Sequence, residues 1–238
     1  MLFRSVSQSR YQRNSKKKPK IPRRRELNAV GEYAQDAYSL GVRTWKGLNA
    51  IRKLVNIEFK RFDINANGST TSQAGSAYQL SQIAQGTDNG QRVGNSLRCQ
   101  RLSFRAHILI NGSATRSAVR AIIVRDLENT GSAPAGSDVL TSAGGANCVT
   151  SNYAYTTHGI GTLPGRFTIL FDETVTLSIT GNQNALFKLD LPMSQHIRYS
   201  GSGATHTKEG SLWLLLFCNE ATNTATIDWN ANLLYTDD

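Results

Sequence analysis

Ten cations stand in the first twenty-five residues before any acid: Arg4, Arg10, Arg13, Lys16, Lys17, Lys18, Lys20, Arg23, Arg24 and Arg25. Ammonium and guanidinium groups at this density neutralise phosphates and release counterions, without reading base sequence. Seven of the ten fall in KKKPKIPRRR, Lys16 to Arg25, where Pro19 and Pro22 interrupt the run and keep it extended. Glu26 is the first acid, and the rest of the chain holds seventeen basic and seventeen acidic residues. The whole formal charge of +10 therefore sits on the arm, and the body is neutral. A like-charged block with little to bury does not fold alone and waits for a polyanion. A membrane surface would select a basic amphipathic helix with large apolar residues, and residues 4–25 carry no such stripe. A short basic cluster with proline also suits a nuclear import receptor.

Catalytic chemistry finds little support. His107, His158, His196 and His206 are scattered, none at i, i+4 from another and none near a cysteine at zinc-binding spacing. Asp172 and Glu173 are adjacent in a strand pattern. Neighbouring strand residues face opposite ways, so the two carboxylates cannot flank one bond as acid and base. GIGTLPG, residues 159–165, misses the dinucleotide-loop spacing and precedes a strand pattern where that loop would precede a helix. No Gly-x-Ser-x-Gly elbow is present. Cys99, Cys148 and Cys218 are far apart and odd in number, which predicts buried reduced thiols instead of a disulfide framework. The N-terminus lacks the apolar core of a secretory signal, and LWLLLF, residues 212–217, is far too short to span a bilayer. Specific DNA reading is also unsupported: there is no zinc finger, and the arm interleaves only Phe3 and Tyr11 among its bases.

The elements that must carry the arm fall into two further zones. In residues 26–55, Leu27, Val30, Ala34, Ala37 and Gly41, then Trp45, Leu48, Ile51 and Val55, step at helical spacing. Acids come early there and bases late, as a helix dipole favours. Gly31, Gly41 and Gly47 predict a kink or break near Gly41. Residues 56–238 turn to short alternating or β-branched runs separated by Ser, Gly and Asn. Strands are predicted at 57–65, 98–110, 118–126, 166–171, 173–180, 185–191, 211–218 and 225–236. LWLLLF has no polar face and reads as a central strand covered on both sides. GNQN, residues 181–184, is a tight turn, whereas 127–165 and 192–210 read as long, weakly charged loops suited to burial against other subunits. The prediction is an all-β chain: one eight-stranded jelly-roll sandwich (56–238) behind a helical segment (26–55) and a basic arm (1–25).

Residues 58–108 resemble the satellite tobacco necrosis virus coat protein family and the related capsid proteins of small circular single-stranded DNA viruses that encode a replication protein. The recognisable core is QGTDNGQRVGNSL, with Gln85, Gly86, Gln91, Arg92 and Gly94. RFTILFDETVTLSITG, residues 166–181, and the closing LLYTDD match further family blocks, and the order basic arm, helix, E-x-K-R-F, Q-G…Q-R-x-G runs over nearly the whole length. The resemblance implies a virion protein: sixty copies in a T = 1 icosahedral shell, with the arm inside on a single-stranded genome. The helical segment and the QGTDNGQRVGNSL composite are closer to the circular DNA group, so DNA is favoured over RNA, with the host nucleus as the site before assembly. It also implies a calcium ion between subunits, held by Glu58 of E-x-K-R-F and Asp237 of Y-T-D. The plainer reading makes those two surface carboxylates or partners for Lys60 and Arg61. A second family calcium position, a carboxylate just after Q-G, is Thr87 here with Asp88 following, which departs from the pattern. Arg92 is expected to brace its loop. Two other classes remain open on sequence: a cellular basic-tailed nucleic-acid-packaging protein, and a jelly-roll lectin or trimeric interaction module.

Overall fold

The computed structural model describes residues 38–47, 58–128, 132–154, 157–158, 165–205 and 207–237. The ten arm cations, the other helical-segment positions and His206 lie outside the described residues. The chain divides into two compact units, Met1–Asn56 and Ile57–Asp238. In the first, residues 38–47 form helix α1, inside the predicted helical segment and continuous through Gly41. Tyr38, Leu40 and Trp45 on it are exposed.

The second unit holds ten strands among its described residues: β1 Phe59–Thr70, β2 Ser76–Gln79, β3 Ser96–Leu109, β4 Arg116–Asp126, β5 Thr157–His158, β6 Phe167–Ser178, β7 Asn184–Tyr199, β8 Thr207–Glu209, β9 Ser211–Cys218 and β10 Thr226–Asp237. They form two five-stranded sheets, ordered β1-β10-β3-β7-β8 and β2-β9-β4-β6-β5. All pairs are antiparallel except the short β5–β6 ladder. Setting aside the brief β5 and β8, each sheet has four strands, and every connection except β4 to β6 crosses to the opposite sheet. That winding is a jelly roll.

Alternation builds the core between the sheets. Leu102, Phe104, Ala106 and Ile108 of β3 point inward with Ile227, Trp229, Ala231 and Leu233 of β10, against Leu212, Leu214 and Leu216 of β9 and Val119, Ala121 and Ile123 of β4. The ladder slips between Cys99 and Arg101, and this bulge flips the parity, so Leu97 and Cys99 also point inward while Arg98 and Arg101 both stay out. Each fully buried Leu, Ile or Phe adds about 1.5–3 kcal/mol relative to exposure. All three cysteines are free and buried, and burial pushes the Cys99 thiol up to about 12 against the opposing charge of Arg125.

Every residue of β9 is buried. Its odd-numbered side chains Trp213, Leu215 and Phe217 face away from the inter-sheet core, where Val139, Leu140 and Cys148 cover them. That cover comes from helix α2, Gly136–Val139, and a 3-10 turn, Ala146–Thr150. Gly136 is required where the cover docks, because a Cβ there would lie 2.1 Å from the Ala74 carbonyl oxygen. The described stretch 132–154 of the expected loop 127–165 thus roofs its own sheet.

Three strand expectations are corrected. The strands placed at 166–171 and 173–180 are one strand, β6, with a ladder slip where Val124 pairs with Ile169 and Ile123 with Phe171. Residues 192–199 are not loop; they continue β7 to Tyr199. The four-residue β2, absent from the sequence expectation, edges the second sheet beside β9.

Candidate nucleic-acid and subunit contacts

The QGTDNGQRVGNSL loop is built around Arg92. Its side chain is fully buried, and its guanidinium works as a hub for loop carbonyls. Nε donates to the Ile83 carbonyl at 3.0 Å. One terminal nitrogen donates to the Gly94 carbonyl at 2.6 Å and to Asn95 Oδ1 at 3.1 Å, and the other donates to the Gly201 carbonyl. The guanidinium carbon lies 4.0 Å from the centre of the Tyr199 ring. Burial pulls the Arg92 pKa down, and Tyr199 and Asp237 oppose that shift. Around it, Gln85 Nε2 donates to the Val93 carbonyl at 2.7 Å, and Gln91 Oε1 accepts from the Asp88 amide at 3.2 Å. Arg92 therefore braces its loop, as its setting in the motif predicts.

Glu58 and Asp237 lie at the same end of the first sheet. Phe59 pairs with Thr236, so one further step of the register brings Glu58 level with Asp237. Glu58 is exposed. Asp237 Oδ2 lies 2.8 Å from the buried Lys60 ammonium, which also donates to the Gln91 carbonyl at 3.1 Å. Asp237 Oδ1 is buried without a hydrogen-bond partner, as is the Tyr235 hydroxyl. Burial, with the Asp237 charge added, drives the Tyr235 hydroxyl well above its ordinary range. Calcium takes six to eight oxygens; among the described residues no group of three or more His, Cys, Asp or Glu forms a metal cluster. Asp237 has one oxygen to spare, so these residues fit a cation only in a set completed by another subunit.

The sequence reading missed a second clamp. Arg120, a lone cation in the apolar run of β4, is nearly buried and grips Asp172 through two bonds of 2.7 and 2.5 Å. It also donates to the Ser151 carbonyl at 2.7 Å, and the Tyr153 hydroxyl donates to Asp172 at 2.6 Å. The Asp172 bond holds the guanidinium pKa above its ordinary value, while burial and then Asp172 push the Tyr153 hydroxyl up to about 12. This clamp pins the roof over Trp213 and Phe217. Arg120→Ala should cost about 2–4 kcal/mol, since it strands a half-buried carboxylate and a carbonyl. It should also open 136–154 to limited proteolysis while the sheets persist by circular dichroism.

The residues tested for catalysis do not converge. Asp172 is spent on Arg120 and Glu173 faces solvent on the opposite side of β6. His107 sits half-buried on the outer face of β3, His196 is exposed on β7, and His158 lies in the two-residue β5. Jelly roll, loop clamp and roof define a braced β-sandwich scaffold.

The comparisons with known proteins sharpen that class. The family model for the satellite tobacco necrosis virus coat protein matches residues 45–238. The capsid protein of Satellite tobacco necrosis virus 1 is 31% identical over 166 residues, covering 68% of this chain and 79% of that protein. The chain belongs to the satellite tobacco necrosis virus coat protein family. It is a viral capsid protein, structural and not enzymatic, and its place is the virion. Among solved structures, a Desmodium yellow mottle tymovirus chain aligns over 76% of this chain and 88% of its own, with a TM-score of 0.35 at 9% identity. A chain of the empty Triatoma virus capsid aligns over 76% and 86%, with a TM-score of 0.27 at 14% identity.

Proposed function

We propose that sixty copies of this chain close into a T = 1 icosahedral shell, and that the ten cations of residues 1–25 hold a single-stranded genome inside it. The observation that carries this reading is the complete segregation of charge, a +10 arm on a neutral body. A neutral body lets copies approach without mutual repulsion, and closed symmetry satisfies every interface. Sixty arms would bring about 600 positive charges to the genome, and assembly on nucleic acid should weaken steeply with salt.

The genome is DNA in this reading, and KKKPKIPRRR serves an import receptor before assembly covers it. Extraction of the packaged nucleic acid and typing by DNase and RNase tests this: DNase sensitivity supports it, and RNase sensitivity removes both the DNA assignment and the nuclear role. Calcium between subunits would be held by Asp237 and Glu58, with Lys60 as the competing cation for Asp237. Particles should then swell in chelator, and swelling should disappear in the Glu58→Gln, Asp237→Asn variant. Identical particle size with and without chelator would remove calcium from the account.

A further inference from the structure

The outward face of the β1-β10-β3-β7-β8 sheet carries a second set of cations away from the arm. Because of the bulge at Gln100, Arg98, Arg101 and Arg105 all project from the same side of β3. Arg105 stands directly opposite Lys188 of β7, and both are exposed. Like charges directly opposite each other on a sheet oppose pairing. Among the described residues neither forms an ion pair with a carboxylate. Of the acids on this face, Asp190 and Asp63 are paired with arginines, whereas Asp228 lines the same groove as Arg105 and Lys188 and is held by a backbone amide. Asp190 takes Ser103 at 3.1 Å and Arg101 at 3.7 Å, Asp228 takes the Gly68 amide at 2.6 Å, and Asp63 takes Arg61 at 2.9 Å. Arg105 anchors one nitrogen on the Leu189 carbonyl at 3.0 Å.

The two cations border a groove of about 610 Å³. Asn65 and Asn230, paired in register, form its amide wall. Leu186, 75% exposed, stands opposite His107 as an apolar floor. Cations for phosphates, amides for base edges, and the flat imidazole of His107 beside the apolar Leu186 make up a sequence-tolerant single-strand site. A second copy of the chain is the poorer occupant, since the long surface segments of the neutral body are weakly charged and offer no acidic block to match.

We propose that this face, centred on Arg105 and Lys188, is a second binding surface for the packaged single strand, with the arm as the first. The inference rests on the packaging function proposed above. Its test is the binding of the full-length chain to an oligothymidylate as a function of salt. Each phosphate left without its cation should flatten the log–log slope by about 0.7, so the R105Q/K188Q variant should have a slope shallower by about 1.4 and bind more weakly at every salt concentration. Ultraviolet crosslinking on the unmodified chain, which does not depend on how a variant folds, should label peptides containing 101–109 or 184–189. A full-length chain with glutamine at the ten arm positions is measured in parallel. If that variant loses its slope while R105Q/K188Q keeps the full slope and no sheet peptide crosslinks, the sheet face is overturned and the arm stands. If the arm variant itself keeps the full slope, the packaging reading fails. Should R105Q/K188Q melt like the unmodified chain but no longer form particles, the face is a subunit interface and the inference falls.

Discussion

Deletion of residues 1–25 should abolish protection of nucleic acid from nuclease and leave the shell domain folded. Among the described residues the buried core runs from Leu80 to Tyr235, with Phe62, Ile64 and Ala66 packed against it, all within the unit that begins at Ile57. The deletion therefore removes no part of that buried apolar core, and its melting temperature should match that of the full chain. Binding behaves differently. With about −0.7 of salt slope for each phosphate neutralised, ten arm cations account for a log–log slope of roughly −7. Losing them leaves at most the shallow slope of the sheet-face cations. A truncated protein that still protected full-length genome would refute the arm as the packaging element.

Arg92→Ala destabilises the shell domain by about 3–5 kcal/mol. The substitution opens a cavity beneath Tyr199 and leaves the carbonyls of Ile83, Gly94 and Gly201 without their donor. Buried acceptors deprived of a partner cost about 1–3 kcal/mol each before relaxation. In a domain of this size a loss of that order lowers Tm by roughly 10 °C. Arg92→Lys should recover only part of it, because an ammonium donates from a single point where the guanidinium spans several carbonyls in a planar fork. A Tm within about two degrees of the unmodified chain for Arg92→Ala would show that the loop does not hang on this residue.

The sequence made the sandwich legible where burial is one-sided. RLSFRAHILI alternates cleanly, and β3 follows it; LWLLLF has no polar side, and β9 is covered on both. The structure has ten strands among its described residues; leaving out the brief β5 and β8, the expected eight are matched through compensating differences. One continuous β6 was divided at Asp172, a polar residue held by Arg120 in the strand's interior. The short β2, SAYQ, carries no run long enough to show period two. β7 runs to Tyr199 through Pro192, Ser194 and His196, whose polarity reads as loop because it belongs to an exposed sheet face. Arg92 was readable as a brace from its place in the motif. Arg120 was not, since its carboxylate lies 52 residues away in sequence. The cations of the outer sheet face were hidden for a similar reason: Arg105 and Lys188 become neighbours only through the β3–β7 register.

The proposed packaging depends on closure of the shell, and particle mass measures that closure directly. Native mass spectrometry or sedimentation of the purified chain should give one uniform particle whose protein mass is about 1.6 MDa, sixty copies of a 26.1 kDa chain. Discrete trimers or pentamers, or open aggregates without a defined mass under any ionic condition with nucleic acid present, would contradict it.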